Sequence, residues 1–554
     1  VMARHVREGL VDYLDTTYPM VNAPFRGSVE RLAGDHGGLS LDPFISIKLP
    51  FRTGSRADFP FTQCLHPQYD PYLHQLEAFR RIGSGASTLV ATGTGSGKTE
   101  CFLYPILDYC YRGIKAILVY PMNALAADQA KRIAETIHGS PELRNNVTAG
   151  MYVGKSAMDE DTASTVMGEH AIISDHKALR RNPPDILLTN YKMLDYLLIR
   201  PQDSQLWDGN DPNTLKYFVV DELHTFDGAQ GTDLACLIRR LSDRLQTPCK
   251  DICFVGTSAT MGNKPEDARN LCDFASAVFN TPFTPDSIIA EQRQNAETFF
   301  DLNGNAVIHT IPSKEEARHL ADMEREEDDP ARYLSEACRI VLGMEVPGAI
   351  DSAMRLQLGT WLRRSDLLRQ LVIELNNEPR LMDEELLTAL SRQFHEFGQL
   401  QHNEQRAVLD ALISLVSYAR TEDNGHERPF LDVQVQLWTK ELRQMRASVC
   451  GIKETVRYAS VYELDSTEAR KYLPIINCRV CGNTGWVGSI NERSQHMEAG
   501  EKSFTNLYFQ FRDDALAVIR PYDENHDVNP NEYTALGYFC PSAECMRFTP
   551  VAQF

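Results

Sequence analysis

Residues Ala91 to Glu100 read ATGTGSGKTE, and 123 residues beyond the lysine of that run (Lys98 to Asp221) lies VVDELH, from Val219 to His224. The first segment is a glycine-rich turn between an apolar run and an amphipathic stretch, the pattern of a strand, a loop and a helix. The backbone N–H groups of Gly95 to Thr99 can then face an anion. Lys98 would reach β- and γ-phosphates and the Thr99 hydroxyl would complete a magnesium shell, because phosphoryl transfer needs neutralised charge more than covalent help. The candidate nucleotide-binding residues here are Thr92, Gly93, Thr94, Gly95, Ser96, Gly97, Lys98, Thr99 and Glu100. The strict pattern G-x-x-x-x-G-K-[ST] has glycine where this chain has Thr92.

In the second segment, apolar residues Tyr217 to Val220 run into Asp221 and Glu222, which places two carboxylates where a buried parallel strand ends. Ligands of open α/β sheets collect at that edge. Asp221 would hold magnesium, and Glu222 would orient and deprotonate the attacking water. Lys98, Asp221 and Glu222 are thus the candidate catalytic residues of an NTPase that uses ATP and Mg²⁺.

A parallel sheet must carry these groups. From about Tyr72 to Thr260 apolar runs at Thr88–Ala91, Ala116–Tyr120, Gly150–Val153, Ile186–Thr189, Phe218–Val220 and Ile252–Val255 alternate with helical stretches. The expected class is α/β: a RecA-like parallel sheet flanked by helices over residues 66–265, after an N-terminal accessory element over 1–65. Helical periodicity dominates an expected insertion over 266–428. Short β-branched and aromatic runs return over 429–554, including Ser503–Phe511, in an expected β-rich zinc-binding segment.

The 554 residues leave room for about three or four domains of roughly 150 residues. The formal charge of −20 argues against a protein that coats DNA through general basicity. Backbone N–H groups and helix N-termini can still hold phosphates without adding charge. No apolar run reaches the ~18 residues of a membrane span and no cleavable leader is evident, so the expected location is the cytoplasm, with no membrane partner. Thirteen cysteines, an odd number, stand mostly singly in apolar surroundings (Cys101, Cys236, Cys253), which argues against a disulfide framework.

Several other segments fit a nucleic-acid-dependent ATPase. The Gln75 amide in PYLHQLEAF can donate to and accept from an adenine edge. Strand-to-helix transitions at PMNAL, MYVGKS and TNYKML put Asn123, Ala124, Leu125, Lys155, Thr189, Asn190 and Lys192 where they can meet a sugar–phosphate backbone. In GTSATMG the hydroxyls of Ser258 and Thr260 can bond to the acidic pair and relay nucleotide state.

Taken in order, HQ, TGSGKT, PMNAL, TNYKML, DELH and SAT resemble the motifs of superfamily 2 helicases of the DEAD/DEAH-box type. Within that superfamily, Asp221–Leu241, Asn190–Asp203 and Leu473–Trp486 resemble a prokaryotic branch that includes the mitomycin-repair helicase and the large helicases of the Druantia and DISARM anti-phage systems. The resemblance implies ATP-driven 3′–5′ movement on single-stranded or partly duplex DNA, in anti-phage defence or repair with possible defence-system partner proteins. It also implies a second RecA-like domain whose Q-x-x-G-R-x-x-R motif supplies arginine fingers. No such motif follows Thr260, so that domain is expected from the rest of a larger protein or from a partner subunit. A rival reading is an ATP-binding subunit that recognises nucleic acid or recruits a nuclease without unwinding.

Cys478 and Cys481 form C-x-x-C, and Cys540 and Cys545 form C-x-x-x-x-C after an interval of 59 residues (540 minus 481). Four soft ligands at such spacings, beside the turn residues Gly482, Gly485 and Pro541, suit a structural Cys₄ Zn²⁺ site. Separate thiols and an iron–sulfur cluster are the alternatives.

Overall fold

Both faces of a fully covered parallel strand are apolar, and the chain carries seven such runs between residues 88 and 290. The computed structural model describes residues 2–551 apart from 35–37, 42, 68, 94, 114, 155–162, 209, 213, 259–264, 301–306, 327–328, 347–350, 424–425, 440–444, 465–467, 491–495, 499–515, 523–534 and 543–544. It divides into two compact units, residues 49–298 and residues 1–48 with 299–554.

The 49–298 unit holds strands β1 (Thr88–Ala91), β2 (Lys115–Tyr120), β3 (Ala149–Tyr152), β4 (Ile186–Asn190), β5 (Leu215–Val220), β6 (Cys253–Ser258) and β7 (Ile288–Ala290). They form one sheet in the order β3-β4-β2-β5-β6-β1-β7, parallel throughout. The helices that concern the site are α1 (Leu73–Gly83), α2 (Lys98–Tyr111), α3 (Asn123–Gly139), α4 (His176–Arg181), α5 (Tyr191–Ile199), α6 (Gly228–Arg244) and α7 (Pro265–Phe279).

Strand side chains alternate between two cores, as the period of two demands. Val90, Leu118, Leu188, Val219 and Val255 pack under α1–α3, while Leu89, Ile117, Leu187, Phe218 and Phe254 pack under α4–α7. Helix α6 supplies Leu234, Leu237, Ile238 and Leu241, an i, i+3, i+4, i+7 stripe. Burial of each such side chain contributes about 1.5–3 kcal/mol, which is what holds helices of this length in place.

Six of the seven strands fall on the runs read from the sequence. The seventh corrects the boundaries: β7 and α7 belong to the sheet-containing unit, not to a helical insertion, and residues 49–65 belong to it as well. A three-residue strand is too short to register as a periodicity, and its identity rests on pairing with β1, almost 200 residues earlier in the chain.

In the other unit, helices Lys314–Glu326, Pro330–Leu342, Ser352–Leu362, Asp366–Leu375, Glu384–Gln393 and His402–Tyr418 realise the expected helical stretch. Strand Phe44–Lys48 pairs with Asp432–Gln436 and with Arg380–Leu381. Phe25 lies 4.7 Å from Trp486 and the Asn477 amide donates to the Pro19 carbonyl at 2.8 Å. The N-terminal residues are therefore integrated with the β-rich segment rather than forming an accessory element of their own. The expected strand at Ser503–Phe511 lies outside the described residues. No helix among the described residues is long and apolar enough to cross a membrane.

Gly231, in the first turn of α6, has no room for a side chain: a Cβ there would stand 2.5 Å from the Phe226 carbonyl oxygen and 3.2 Å from the Phe274 ring. Alanine normally favours a helix over glycine by about 1 kcal/mol. Here the sign should reverse, and Gly231→Ala should destabilise the unit by about 1–3 kcal/mol. An unchanged or higher urea midpoint for this variant would contradict the packing described.

Candidate nucleotide site

Four neighbouring strands, β5, β6, β1 and β7, deliver their C-terminal ends to one edge of the sheet. After β1 the chain turns through residues 92–97 into α2. Gly95 and Gly97 have φ of +76° and +74°, a conformation open to glycine at little cost. A Cβ on Gly97 would meet the Gln75 Nε2 at 2.2 Å. Thr92, at the position where the strict pattern has glycine, is fully buried, and its hydroxyl lies 2.7 Å from that of Ser96. Ser96 Oγ in turn donates to the Gly93 carbonyl at 2.7 Å. The departure from the pattern thus closes the loop with side-chain hydrogen bonds.

Helix α1 grips the same loop. His74 Nε2 donates to the Ser96 carbonyl at 2.9 Å, and burial pushes the imidazole pKa down, which favours the neutral ring. The Gln75 Nε2 donates to the Gly97 carbonyl at 3.2 Å while its Oε1 accepts the Tyr72 N–H at 2.9 Å. The Gln75 amide thus ties the loop to its own helix start. Gly97 caps α2 without a side chain, leaving first-turn N–H groups for an anion.

Lys98 Nζ stands 3.1 Å from Glu222 Oε1 and 3.4 Å from the Ser258 carbonyl. Thr257 joins the two acids: its hydroxyl donates to Asp221 Oδ1 and accepts the Glu222 N–H at 3.0 Å. Burial, aided by the charge of Glu222, pushes the Asp221 pKa up, while the Thr257 hydrogen bond and Lys98 hold it down. Glu222 has φ +50°, left-handed for a residue with a Cβ. Strain of this kind concentrates at working sites. Its Oε2 lies 3.4 Å from His224 Nδ1, which is also 3.4 Å from Ser258 Oγ.

Lys98, Asp221, Glu222 and Ser258 therefore converge, with Thr99 opening α2 beside them. Glu100 turns away and pairs with Arg132 on α3. Thr94, Thr260 and Lys155 lie outside the described residues. Thr257 and His74 lie inside the segments GTSATMG and HQ, but the sequence assigns neither a role. Thr257 is signalled only by strand alternation, which turns it to the face opposite Ser258.

At the other half of the same edge, Asn123 opens α3 and Asn190 caps α5. The Asn190 amide donates to Asn123 Oδ1 at 2.7 Å, and its own oxygen accepts the Met193 N–H at 2.8 Å. Asn123, Ala124 and Lys192 are exposed, and Leu125 is half-buried. Thr189 faces inward: it is fully buried and its hydroxyl donates to the Tyr152 carbonyl at 2.7 Å.

The cysteines form two pairs rather than a quartet. Cys478 and Cys481 lie in the turn between strands Ile475–Asn477 and Thr484–Ile490, while Cys540 ends strand Gly537–Cys540 and Cys545 precedes its partner strand Arg547–Pro550. Asn483 Nδ2 donates to Cys481 Sγ at 3.3 Å, and bonds from Asn483 hold that thiol's pKa down. Among the described residues no three metal-ligating side chains come together. A zinc site shared by all four cysteines is thus not shown among the described residues. Of the singly placed cysteines, Cys101 and Cys253 are buried as expected, whereas Cys236 is exposed on α6.

Residues 72–268 match the DEAD/DEAH box helicase family. The chain is 29% identical to the Druantia protein DruE of Escherichia coli strain UMEA 4076-1, across 42% of this chain and 19% of that protein. It is 32% identical to the ATP-dependent helicase YprA of Bacillus subtilis strain 168, across 36% of this chain and 24% of that protein. The chain thus spans about a quarter or less of the length of these relatives. The crystal structure of the DUF1998 helicase MrfA bound to DNA aligns at a TM-score of 0.35 and 17% identity, over 71% of this chain and 62% of that one.

Thr257→Val keeps the shape of the side chain but leaves the Glu222 N–H without its acceptor, at a cost of about 1–3 kcal/mol. It also removes a donor that holds the Asp221 pKa down. A carboxyl whose pKa is raised in the folded state destabilises that state once pH exceeds the folded pKa, and the penalty disappears below the unfolded pKa. Because the variant raises the folded value further, its stability deficit should be larger near pH 7.5 than near pH 3.5. Equal deficits in urea unfolding at the two pH values would show that Thr257 does not govern Asp221.

Proposed function

Because residues 72–268 form a DEAD/DEAH box helicase domain, we propose that this chain is the nucleotide-hydrolysing part of an ATP-dependent translocase or helicase that moves on single-stranded DNA. The observation that carries the reading is the contact of Lys98 with Glu222 at 3.1 Å, with Asp221 bridged to Glu222 through Thr257. A cation, a metal-binding carboxylate and a base then occupy one sheet edge, opposite uncapped N–H groups of α2.

The triphosphate of ATP competes with Glu222 for Lys98. As Lys98 and the loop N–H groups neutralise the phosphates, Glu222 is released to accept a proton from the attacking water. Thr99 and Asp221 would hold magnesium, which offsets charge on the β- and γ-oxygens. Gln75, bonded to the loop through Gly97, would pass contact with adenine to the phosphate-binding turn. His224 and Ser258 would link the acids to β6 and, with Thr260, relay the nucleotide state.

DNA phosphates would lie along Asn123, Ala124 and Leu125 at the uncapped start of α3, flanked by Asn190, Lys192 and Lys155. Thr189 would support this surface from inside the sheet. A second RecA-like domain supplied by the rest of the protein or by a partner would close the site with arginine fingers. The similarity to DruE favours a setting in anti-phage defence, with DNA repair as the other candidate.

Glu222→Gln should retain ATP and abolish DNA-stimulated hydrolysis, while Lys98→Ala should lose nucleotide affinity itself. Turnover near the parent value in Glu222→Gln would remove the base assignment, and absence of turnover in the parent would favour a recruitment role. Residues 1–554 alone should hydrolyse ATP slower than the completed site by about 10³ to 10⁵-fold, the usual effect of missing arginine fingers. Rapid DNA-stimulated hydrolysis by these residues alone would show that no second domain is needed.

A further inference from the structure

We infer that Glu291, held by Arg293, is a positioning residue of the nucleotide site. The inference rests on the nucleotide-binding reading above and reaches 23 residues beyond the family-matched segment (291 minus 268).

Strand β7 pairs with β1 in the register Leu89↔Ile288, Val90↔Ile289 and Ala91↔Ala290. The next residue of each strand therefore emerges at the phosphate-loop end of the sheet. Glu291 Oε2 accepts the Gly93 N–H at 2.9 Å, and Oε1 accepts Arg293 Nε at 2.7 Å. The Arg293 guanidinium also donates to the Leu49 carbonyl at 2.6 Å and lies 4.0 Å above the Phe51 ring. Phe51 meets His74 edge-on at 5.5 Å and Tyr72 at 5.0 Å, and His74 holds Ser96.

The loop is consequently held on both limbs. Glu291 fixes its entry at Gly93, and His74 with Gln75 fixes its exit at Ser96 and Gly97. Both holds converge on the cluster around Phe51. The side chains of Arg293 and Glu291 are only 7% and 16% exposed, so the pair stands where removing charges from water is costly. Packing alone would be served better by apolar residues. What the carboxylate adds is an anchor for a backbone N–H in a segment containing three glycines, which lowers the ordering cost of binding a triphosphate. Arg293 keeps that carboxylate from repelling the phosphates.

The test uses the whole chain and a fluorescent methylanthraniloyl-ADP. Glu291→Ala should weaken binding by about tenfold, Glu291→Gln by less because its amide oxygen can still accept from Gly93, and Arg293→Ala by a similar factor. The Glu291→Ala/Arg293→Ala double variant should lose no more than either single one. A purely structural role would lower the thermal midpoint in proportion. A positioning role instead speeds hydrogen exchange at Gly93 to Lys98 while β2 and β5 stay protected. If the parent binds the probe and both Glu291 variants bind it within twofold of the parent, the inference falls and the nucleotide reading stands. A parent chain that does not bind the probe removes both.

Discussion

Parallel pairing of β1 between β6 and β7 fixes where the charged groups of the site can stand. All seven strands run the same way, so each must end at the same edge, and the four that end there side by side bring the acidic pair, Thr257, the phosphate loop and Glu291 together. The sheet achieves this with buried backbone hydrogen bonds and two apolar cores, and its charged strand residues, Lys115 and Lys216, stand at the strand starts, away from the site edge. Function is confined to the loops, where small changes in side chain leave the scaffold intact.

At that edge positive charge is shared and negative charge is crowded. Lys98, the one amine at the centre, is shared between a carboxylate and a carbonyl, and Asp221 is buried beside a second acid. Negative charge from a nucleotide would add to this imbalance were it not for the first turn of α2 and for magnesium, whose charge reverses the local preference for a protonated carboxyl. The hydroxyl of Thr257 does a part of what a metal would do there: it stabilises charge on Asp221.

Much of this was legible in the sequence, and the pattern of what was not has a physical basis. Lys98, Thr99, Asp221 and Glu222 are recognisable because their chemistry depends on local order: a glycine turn before a helix, or acids directly after an apolar run. Thr257 and Glu291 act through pairing between distant strands, and no local pattern marks them. Thr189 reads as a candidate contact because it ends a strand, yet its alternation turns it inward toward Tyr152. The cysteine spacings mark two hairpins, but spacing carries no information on whether four thiols meet. The domain boundaries moved for the same reason as the seventh strand appeared: segment 288–290 is defined by its partner.

Glu222 has a positive φ, as do, among the described non-glycine residues, Gln246, Met546, Asn280, Asn376 and Asn377; three of those five are asparagine, whose short amide side chain tolerates the conformation well. Glutamate does not, so the position sets conformational preference against chemistry. A chain selected only to persist would drift there toward asparagine or glycine, gaining stability as it lost the carboxylate we propose as the base. In descendants of this fold that have abandoned hydrolysis, residue 222 is where the loss should be recorded first, by a substitution that leaves every strand of the sheet in place.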